Sequence, residues 1–261
     1  MTPVEERVRA GGLLRGRVVV LLSGGRDSVC LLDLAVRLAG QVTALHVNYG
    51  LRDSADGEEQ HCAALCERLG VPLEVRRPGR PKGNLQAWAR DVRYAEAERL
   101  DGLIATGHTA SDQVETVLYR LAASPGRRAL LGMPERDGRL IRPLLTTTRE
   151  ETAAHCRERG LTWREDPTND DPSFARNRVR HELLPALRAI HPAAEDNVLR
   201  TLALLRDEAA VLDDLIVPEP DVARLAALPP ALRRLTLDAM AGRPVGARAD
   251  EILALGARGG T

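Results

Sequence analysis

Short apolar runs alternate with amphipathic stretches over the first half of the chain. Residues 17–22 (RVVVLL) form a β-branched run that ends at Ser23-Gly24-Gly25, which is typical of a buried strand entering a tight turn. Similar runs predict three further strands at 42–47, 73–76 and 102–106. Helical spacing of apolar residues predicts helices over 27–39, 57–69, 84–100 and 111–122. This alternation predicts an α/β fold, a parallel twisted sheet with helices on both faces.

The pattern changes after Pro125. A capping box, Thr148-x-x-Glu151, predicts a helix over 148–159, with Gly160 as the residue that ends it. Residues 164–178 are polar and interrupted by prolines, which predicts a loop.

From Glu195 onward the spacing of leucine and alanine is helical, with a break at residues 217–220. We therefore place a boundary near Pro192. The expected organisation is a catalytic domain over residues 1–192 and a small all-helical domain over residues 193–261.

Composition excludes several classes of protein. The 261 residues are 44% hydrophobic and 28% charged, and they contain no apolar stretch long enough to span a membrane. The first residues, MTPVEERVRAGG, lack the apolar core of a secretory signal, and the four cysteines form no CxxC pair. These features predict a cytoplasmic protein. The 37 basic and 37 acidic residues cancel, which argues against a diffuse, non-specific nucleic-acid binder but allows a local basic patch.

The segment Ser23-Gly24-Gly25-Arg26-Asp27-Ser28 is the strongest chemical signal. The two glycines let the backbone turn sharply and bring N–H groups close to an anion, and the following helix adds its positive N-terminal end. An ordinary strand–turn–helix junction would also fit the two glycines alone.

Asp27 adds a charge argument to this loop. A carboxylate beside a phosphate is repelled unless a cation lies between them, so Asp27 predicts Mg²⁺. The loop is not a Walker A motif, because it lacks the Gly-Lys-Ser/Thr ending, and it is not a dinucleotide fingerprint.

The hexapeptide resembles the SGGxDS loop of the N-type ATP pyrophosphatase superfamily, whose members cleave ATP to AMP and pyrophosphate while adenylating an oxygen atom. Three further segments resemble the tRNA(Ile)-lysidine synthetase family within it: His46–Arg52 resembles HxxHGLR, with Tyr49 where a histidine is usual; Thr106–Thr116 resembles TxHHxxDQxET; and Glu165–Arg180 resembles EDPTN…RNxxR. Together these segments cover roughly residues 17–190.

The resemblance implies a ligase that uses ATP and Mg²⁺. Its substrates would be free L-lysine and a tRNA(Ile) that carries the anticodon CAU. The wobble cytidine would be adenylated at its C2 oxygen, and the lysine ε-amine would then replace AMP. The loop residues Ser23, Gly24, Gly25, Arg26, Asp27 and Ser28 would bind ATP together with His46.

Open parallel sheets bind ligands at the carboxyl ends of their strands, so the strand-following segments should meet there. The resemblance implies that Asp112 either holds a metal ion together with Asp27 or helps to hold the lysine. It also implies that Glu115 binds the ammonium group of the lysine. Asp112 and Glu115 lie three residues apart on one helix face, although such a pair is also common at a solvated helix start. His108 is a candidate for contact with the phosphates or the adenylated intermediate.

Arginines supply the remaining candidates. Arg90 and Arg93 share a helix face, and the resemblance implies that one of them reaches the active site; a solvated cationic face is the alternative. Arg176, Asn177 and Arg180 lie in a locally basic segment that suits phosphate contacts to a folded RNA loop. Pairing with nearby aspartates is the alternative for these arginines.

Two other functions stay open at this point. A tRNA thiolase of the same superfamily would use the same ATP loop but would need a reactive cysteine pair. A degenerate ATP-binding regulator would lose the acidic residues that are present here. The sequence leaves a monomer and a homodimer equally open.

Overall fold

The computed structural model describes residues 1–51, 54–79, 85–124, 126–165, 171, 174–218, 221–242, 245 and 248–258. The chain forms two compact units. One comprises Met1–Tyr119 and Gly132–Glu195, and the other comprises Arg120–Leu131 and Asp196–Thr261. The domain boundary expected near residue 192 stays a prediction.

The first unit contains a six-stranded sheet with the strand order β3-β2-β1-β4-β6-β5. Neighbouring strands are parallel except for the antiparallel pair β5–β6. The strands are β1 Arg17–Leu21, β2 Gln41–Val47, β3 Leu73–Arg76, β4 Leu103–Ala105, β5 Arg136–Asp137 and β6 Leu140–Ile141. The parallel sheet predicted from the sequence is thereby confirmed, and the structure adds one antiparallel edge strand, β5.

Helices lie in the connections between these strands, and they make up most of the C-terminal region that the structure describes. They are α1 Pro3–Gly11, α2 Arg26–Leu38, α3 Ala55–Leu69, α4 Leu85–Glu98, α5 Ala110–Ala123, α6 Arg127–Leu130, α7 Arg149–Glu158, α8 Ala175–Arg178, α9 Leu184–Ile190, α10 Ala194–Asp214, α11 Val222–Ala227, α12 Pro230–Ala241 and α13 Ala249–Arg258. A π-helical turn, Val179–Leu183, joins α8 to α9.

The loop predicted over residues 164–178 is wrong at its C-terminal end, because α8 begins at Ala175. Phe174 starts this helix: its carbonyl accepts hydrogen bonds from the N–H groups of Asn177 (2.9 Å) and Arg178 (3.2 Å). The buried residue of this helix is the polar Asn177. Because the segment has no apolar face, its sequence predicts a loop although it forms a helix.

Strand β1 explains why both faces of the sheet are covered. Side chains alternate along a strand, so Val18 and Val20 point to one face and Val19 and Leu21 to the other. The first pair packs in a core with α2 and α3 residues such as Leu31 and Leu65. The second pair packs with Ala97 of α4 and with neighbouring strand residues. This arrangement requires the continuous apolar run seen in the sequence.

Helix α7 is fixed by polar contacts to α2, to α1 and to the N-cap residue of α1, Thr2. His155 is 1% exposed, and its Nε2 lies 2.9 Å from Asp33 Oδ2 while its Nδ1 lies 2.8 Å from Thr2 Oγ1. Arg7 donates to both carboxylate oxygens of Glu151, at 2.8 and 2.9 Å. These contacts set the position of the first residue of α7, Arg149.

The second unit is helical and has its own small core. Leu225 of α11, Leu237 of α12 and Ala249 of α13 are buried together. Arg127 pairs with Asp213 at 2.5 Å, which ties α6 to α10 within this unit.

Candidate active site

The segment Ser23–Ser28, here called the phosphate loop, joins β1 to α2, and its conformation is held by hydrogen bonds of its own hydroxyl groups. Ser28 is 7% exposed, and its Oγ donates to Gly25 O at 2.8 Å and accepts from Ser23 N at 3.2 Å. Gly24 has φ +80°, a left-handed conformation that favours glycine, and a Cβ there would lie 3.3 Å from Cys62 Sγ. These contacts therefore fix the conformation of the loop at the carboxyl end of β1, next to the N-terminus of α2.

Asp27, in the first turn of α2, is held by side chains from two elements. Its Oδ1 accepts from Arg26 Nε at 3.1 Å and from Thr152 Oγ1 at 2.5 Å. Its Oδ2 faces Arg149 Nε at 4.0 Å, which is beyond hydrogen-bond reach. Asp27 thus has one oxygen committed to the protein and one that is more loosely engaged.

Two neighbouring segments brace the loop from outside. The backbone N–H of Arg164 donates to Gly24 O at 3.0 Å. Gly107, after β4, approaches so closely that a Cβ would lie 3.0 Å from the backbone carbonyl of Asp27 and from Ser28 N. Glycine at position 107 is what allows the β4–α5 segment to pack against the loop.

His46 lies at the end of β2 and is 4% exposed. Its Nδ1 lies 2.9 Å from Leu22 O, so this nitrogen carries a proton and donates it to the carbonyl just before the loop. Tyr49, where the resembled motif has histidine, donates its hydroxyl to Ala89 O at 2.8 Å and connects β2 with α4.

His108 lies between β4 and α5, near Asp112 and three arginines. Its Nδ1 lies 2.8 Å from Thr106 Oγ1. Burial lowers the pKa of His108 to about 4; Asp112 opposes this shift, and Arg142, Arg176 and Arg90 add to it. The imidazole is therefore neutral near pH 7, and Nε2 is the nitrogen left for a ligand.

Asp112 and Glu115 of α5 meet two arginines from later in the chain. Arg149 donates to Asp112 Oδ1 at 2.5 Å and to Glu115 Oε1 at 2.6 Å. Arg180 donates to the two oxygens of Glu115, at 2.7 and 3.2 Å. Glu115 is 1% exposed. A buried carboxylate with two guanidinium partners can bind a cation or can fix the positions of the two arginines.

The two predicted arginines of α4 differ in their surroundings. Arg90 lies over the Tyr94 ring at 5.1 Å from its centroid, close enough to His108 to help lower the pKa of that histidine. Arg93 Nε donates to Tyr49 Oη at 3.3 Å. Of the two, Arg90 is the one whose charge reaches His108.

The three residues predicted to bind tRNA occupy unequal positions. Arg176 is exposed and donates to Thr116 Oγ1 at 3.0 Å, whereas Arg180 pairs with buried Glu115. Asn177 is 8% exposed and donates to Asp171 O at 2.9 Å, which holds the start of α8. Residues 166–170 of the EDPTN motif lie outside the described residues.

Sequence reasoning missed Arg142 and Arg149. Arg142 follows β6, is 5% exposed, and donates to Pro134 O at 2.7 Å; its Nε is buried without a hydrogen-bond partner among the described residues. A two-residue strand gives too short an apolar run to predict, so the position of Arg142 at the sheet edge was not visible. Arg149 lies inside the capping box, and its place in the sequence indicates only a helix start.

Comparison with known proteins places these features in a family. Residues 5–187 match the PP-loop domain. The tRNA(Ile)-lysidine synthase of Salinispora tropica is 43% identical, and the alignment covers 89% of this chain and 78% of that protein. The chain belongs to the tRNA(Ile)-lysidine synthase family. The resemblance drawn from the phosphate loop and the three later motifs is confirmed.

Other members of the family are longer. The tRNA(Ile)-lysidine synthases of Pseudomonas fluorescens and Thermus thermophilus are each 41% identical over 75% of this chain, and the matched part covers 47% and 40% of their respective lengths. The chain thus spans about half the length of most of these relatives.

A solved structure supports the fold. The U34-tRNA thiolase of Methanococcus maripaludis superposes with a TM-score of 0.63 at 18% identity, covering 78% of each chain. Among the described parts of the chain, no helix is long and apolar enough to cross a membrane. Within the same parts, no three or more His, Cys, Asp or Glu side chains are arranged to share a metal ion.

Proposed function

We propose that this chain is an ATP-dependent ligase that joins free L-lysine to C2 of the wobble cytidine in a tRNA(Ile) with the anticodon CAU, releasing AMP and pyrophosphate. The observation that carries this proposal is the meeting of Asp27 with Asp112 and Glu115 around one guanidinium, that of Arg149. The phosphate loop adjoins an acidic pocket for an ammonium group there, and this pocket is formed by Asp112 and Glu115. Membership of the tRNA(Ile)-lysidine synthase family supports the choice of substrates.

The first step is adenylation of the tRNA. The C2 carbonyl oxygen of the cytidine attacks the α-phosphorus of ATP, and pyrophosphate leaves. The loop N–H groups and the N-terminus of α2 bind the phosphates. The guanidinium groups near neutral His108, those of Arg90, Arg142 and Arg176, stabilise negative charge that develops on the transferred group. His108 Nε2 is placed to contact the same group.

Mg²⁺ bound together with ATP would neutralise the charge of its phosphates. Asp27 fits this ion, because a loop carboxylate with one loosely engaged oxygen can complete a shell that phosphates and waters otherwise supply. Asp112 fits less well. Its Oδ1 accepts from Arg149 and its Oδ2 accepts from both the backbone N–H and the hydroxyl of Thr109, each at 2.8 Å.

The second step forms the new C–N bond. The ε-nitrogen of lysine, as an unprotonated amine, attacks C2 as the bond between C2 and the oxygen of AMP breaks, and the proton that this nitrogen then loses passes to water. Asp112 and Glu115 hold an ammonium group of the lysine, and their fixed positions align the amine with C2. A tRNA substrate agrees with the cytoplasmic location predicted from the sequence.

A thiolase reaction is the alternative within the same fold, and the cysteines disfavour it. All four cysteines are buried free thiols. Burial chiefly raises the pKa of Cys62, beneath the phosphate loop, to about 12, so it is protonated at neutral pH. Sulfur transfer needs a thiolate, and the likeness to the thiolase, at 18% identity, concerns the fold alone.

The deciding experiment supplies the chain with ATP, [¹⁴C]lysine and a transcript of tRNA(Ile). We expect lysine incorporation into the tRNA together with one pyrophosphate per lysine. A transcript of methionine tRNA with the same CAU anticodon serves as the matched control and should remain unlabelled. Pyrophosphate release without lysine incorporation, or sulfur incorporation from a thiol donor, would contradict the proposal.

A further inference from the structure

The Arg149 guanidinium donates to two carboxylates and lies near a third, and the three come from two separate elements. Its Nη2 donates to Asp112 Oδ1 at 2.5 Å, its Nη1 donates to Glu115 Oε1 at 2.6 Å, and its Nε lies 4.0 Å from Asp27 Oδ2. Asp27 belongs to the phosphate loop and the other two acids to α5. The guanidinium therefore lies where the nucleotide-binding and acidic parts of the site adjoin.

The surroundings of Arg149 fix its side chain in this place. The side chain is 17% exposed, and the backbone N–H donates to Ser111 Oγ at 3.4 Å. The carbonyl of Arg149 accepts from Thr152 Oγ1 at 2.9 Å, and the same hydroxyl donates to Asp27. Helix α7 itself is held to α1 through the paired side chains of Arg7 and Glu151.

Without this guanidinium the three carboxylates would repel one another in a partly buried site. They would relieve that repulsion by taking up another cation, and oxygen ligands from three carboxylates suit a divalent ion. With Arg149 present, the carboxylates are spread around a planar fork and are not arranged to share a metal ion.

We propose that Arg149 is a positioning residue, a built-in counter-cation that holds Asp27, Asp112 and Glu115 apart. In the absence of nucleotide it excludes divalent cations from the space between them, so that Mg²⁺ reaches Asp27 only together with ATP. The cluster then stays available to a substrate ammonium group. This inference rests on the proposed function for the identity of that ammonium group.

Hydrogen-bond capacity explains why an ammonium group is admitted. Each carboxylate oxygen has two lone pairs, so Asp112 Oδ1 can accept from Arg149 and from a substrate N–H at the same time. Glu115, whose two oxygens accept from Arg149 and Arg180, contributes its negative charge. A divalent ion instead needs the oxygens drawn to within about 2.6 Å of its centre, which requires the guanidinium to leave. The pocket is thereby selective for hydrogen-bonding monocations.

The test is Mn²⁺ binding, followed by electron paramagnetic resonance without nucleotide, lysine or tRNA. We expect Arg149→Ala to bind one Mn²⁺ per chain at least tenfold more tightly than the unaltered protein. Arg157→Ala, an exposed arginine on the same helix, is the matched control and should leave Mn²⁺ binding unchanged. Adding Asp112→Asn to Arg149→Ala should abolish the gain.

A second variant separates charge from geometry. Arg149→Lys keeps a positive charge but cannot reach three carboxylates, so we expect no gain in Mn²⁺ binding and at least a fivefold rise in the KM for lysine. Should Arg149→Ala fail to fold, Arg149→Gln replaces it in the Mn²⁺ titration. Equal Mn²⁺ affinity in the uncharged variant and the unaltered protein would overturn the proposal. The titration needs none of the substrates, so its outcome is independent of whether lysine transfer is found.

Discussion

In the candidate active site the Asp112 carboxylate is paired with Arg149, and this pairing decides its protonation state. Burial alone would raise the pKa of Asp112, but Arg149 and the backbone N–H of Thr109 outweigh that effect, so the net shift is downward. The carboxylate stays ionised near neutral pH. A group held ionised against its own desolvation is ready to bind a cation without first losing a proton.

Replacing Glu115 tests whether the acidic pocket binds the lysine substrate. In Glu115→Gln we expect the KM for lysine to rise tenfold or more and the KM for ATP to change little, because a charge-assisted hydrogen bond contributes about 1.5–3 kcal/mol. Steady-state kinetics with each substrate varied in turn measures both constants. Glu158→Gln, which alters an exposed carboxylate at the last position of α7, is the control. Equal rises for both substrates would place Glu115 beside the phosphates instead.

The low pKa of His108 makes stability depend on pH. The folded-state pKa is about 4 and the ordinary value is 6.5, so between these values the unfolded chain binds a proton that the folded chain does not. Stability contributed by the neutral imidazole is complete above pH 6.5 and is lost as the pH falls toward 4, by about 3 kcal/mol in all.

Urea unfolding at several pH values between 4.5 and 7 measures this effect. We expect His108→Gln to flatten the pH dependence of the unfolding free energy across that window. The exposed His191→Gln is the control and should keep the slope. An unchanged slope in His108→Gln would show that His108 titrates normally in the folded protein.

At the level of helices and strands, the sequence predicts those elements whose apolar residues recur with a regular period. The β-branched run before Ser23 and the alternation that follows it predicted the strands β1 to β4 and the helices between them. The two-residue strands β5 and β6 leave no periodic signal, and α8 packs through Asn177 rather than through an apolar face. For the same reason Arg142, which depends on β6 for its position, could not be predicted, whereas the acids of α5 could.

The packing of the β4–α5 segment against the phosphate loop gives a prediction for Gly107. A Cβ at this position would lie 3.0 Å from backbone atoms of Asp27 and Ser28, which cannot rotate away as a side chain would. Gly107→Ala should therefore displace the loop by a few tenths of an ångström and weaken ATP binding about tenfold, because phosphate contacts depend on exact placement of N–H groups.

Isothermal titration with a non-hydrolysable ATP analogue measures that change. Gly11→Ala is the matched control, because a Cβ at Gly11 meets nothing within 4 Å. Its ATP affinity should equal that of the unaltered protein. Normal ATP affinity in Gly107→Ala would mean that the loop tolerates the displacement.

For the whole molecule, charge balance decides how an RNA can be bound. The 37 basic and 37 acidic residues cancel, so a tRNA is not held by a general positive field, and its affinity depends on particular arginines. The sequence predicts Arg176, Asn177 and Arg180 for this role. The structure leaves Arg176 exposed but commits Arg180 to Glu115, so the two arginines should behave differently.

Measuring tRNA affinity at several salt concentrations separates them. Each lost phosphate contact reduces the log–log salt slope by about one unit, so Arg176→Ala should flatten it by about that amount. Arg180→Ala should leave the slope unchanged and instead lower the unfolding free energy by about 1.5–3 kcal/mol, because buried Glu115 loses a bidentate partner. If both variants flatten the slope and neither lowers stability, Arg180 must leave Glu115 to reach the tRNA, and the pairing seen in the free protein is then exchanged for a phosphate contact on binding.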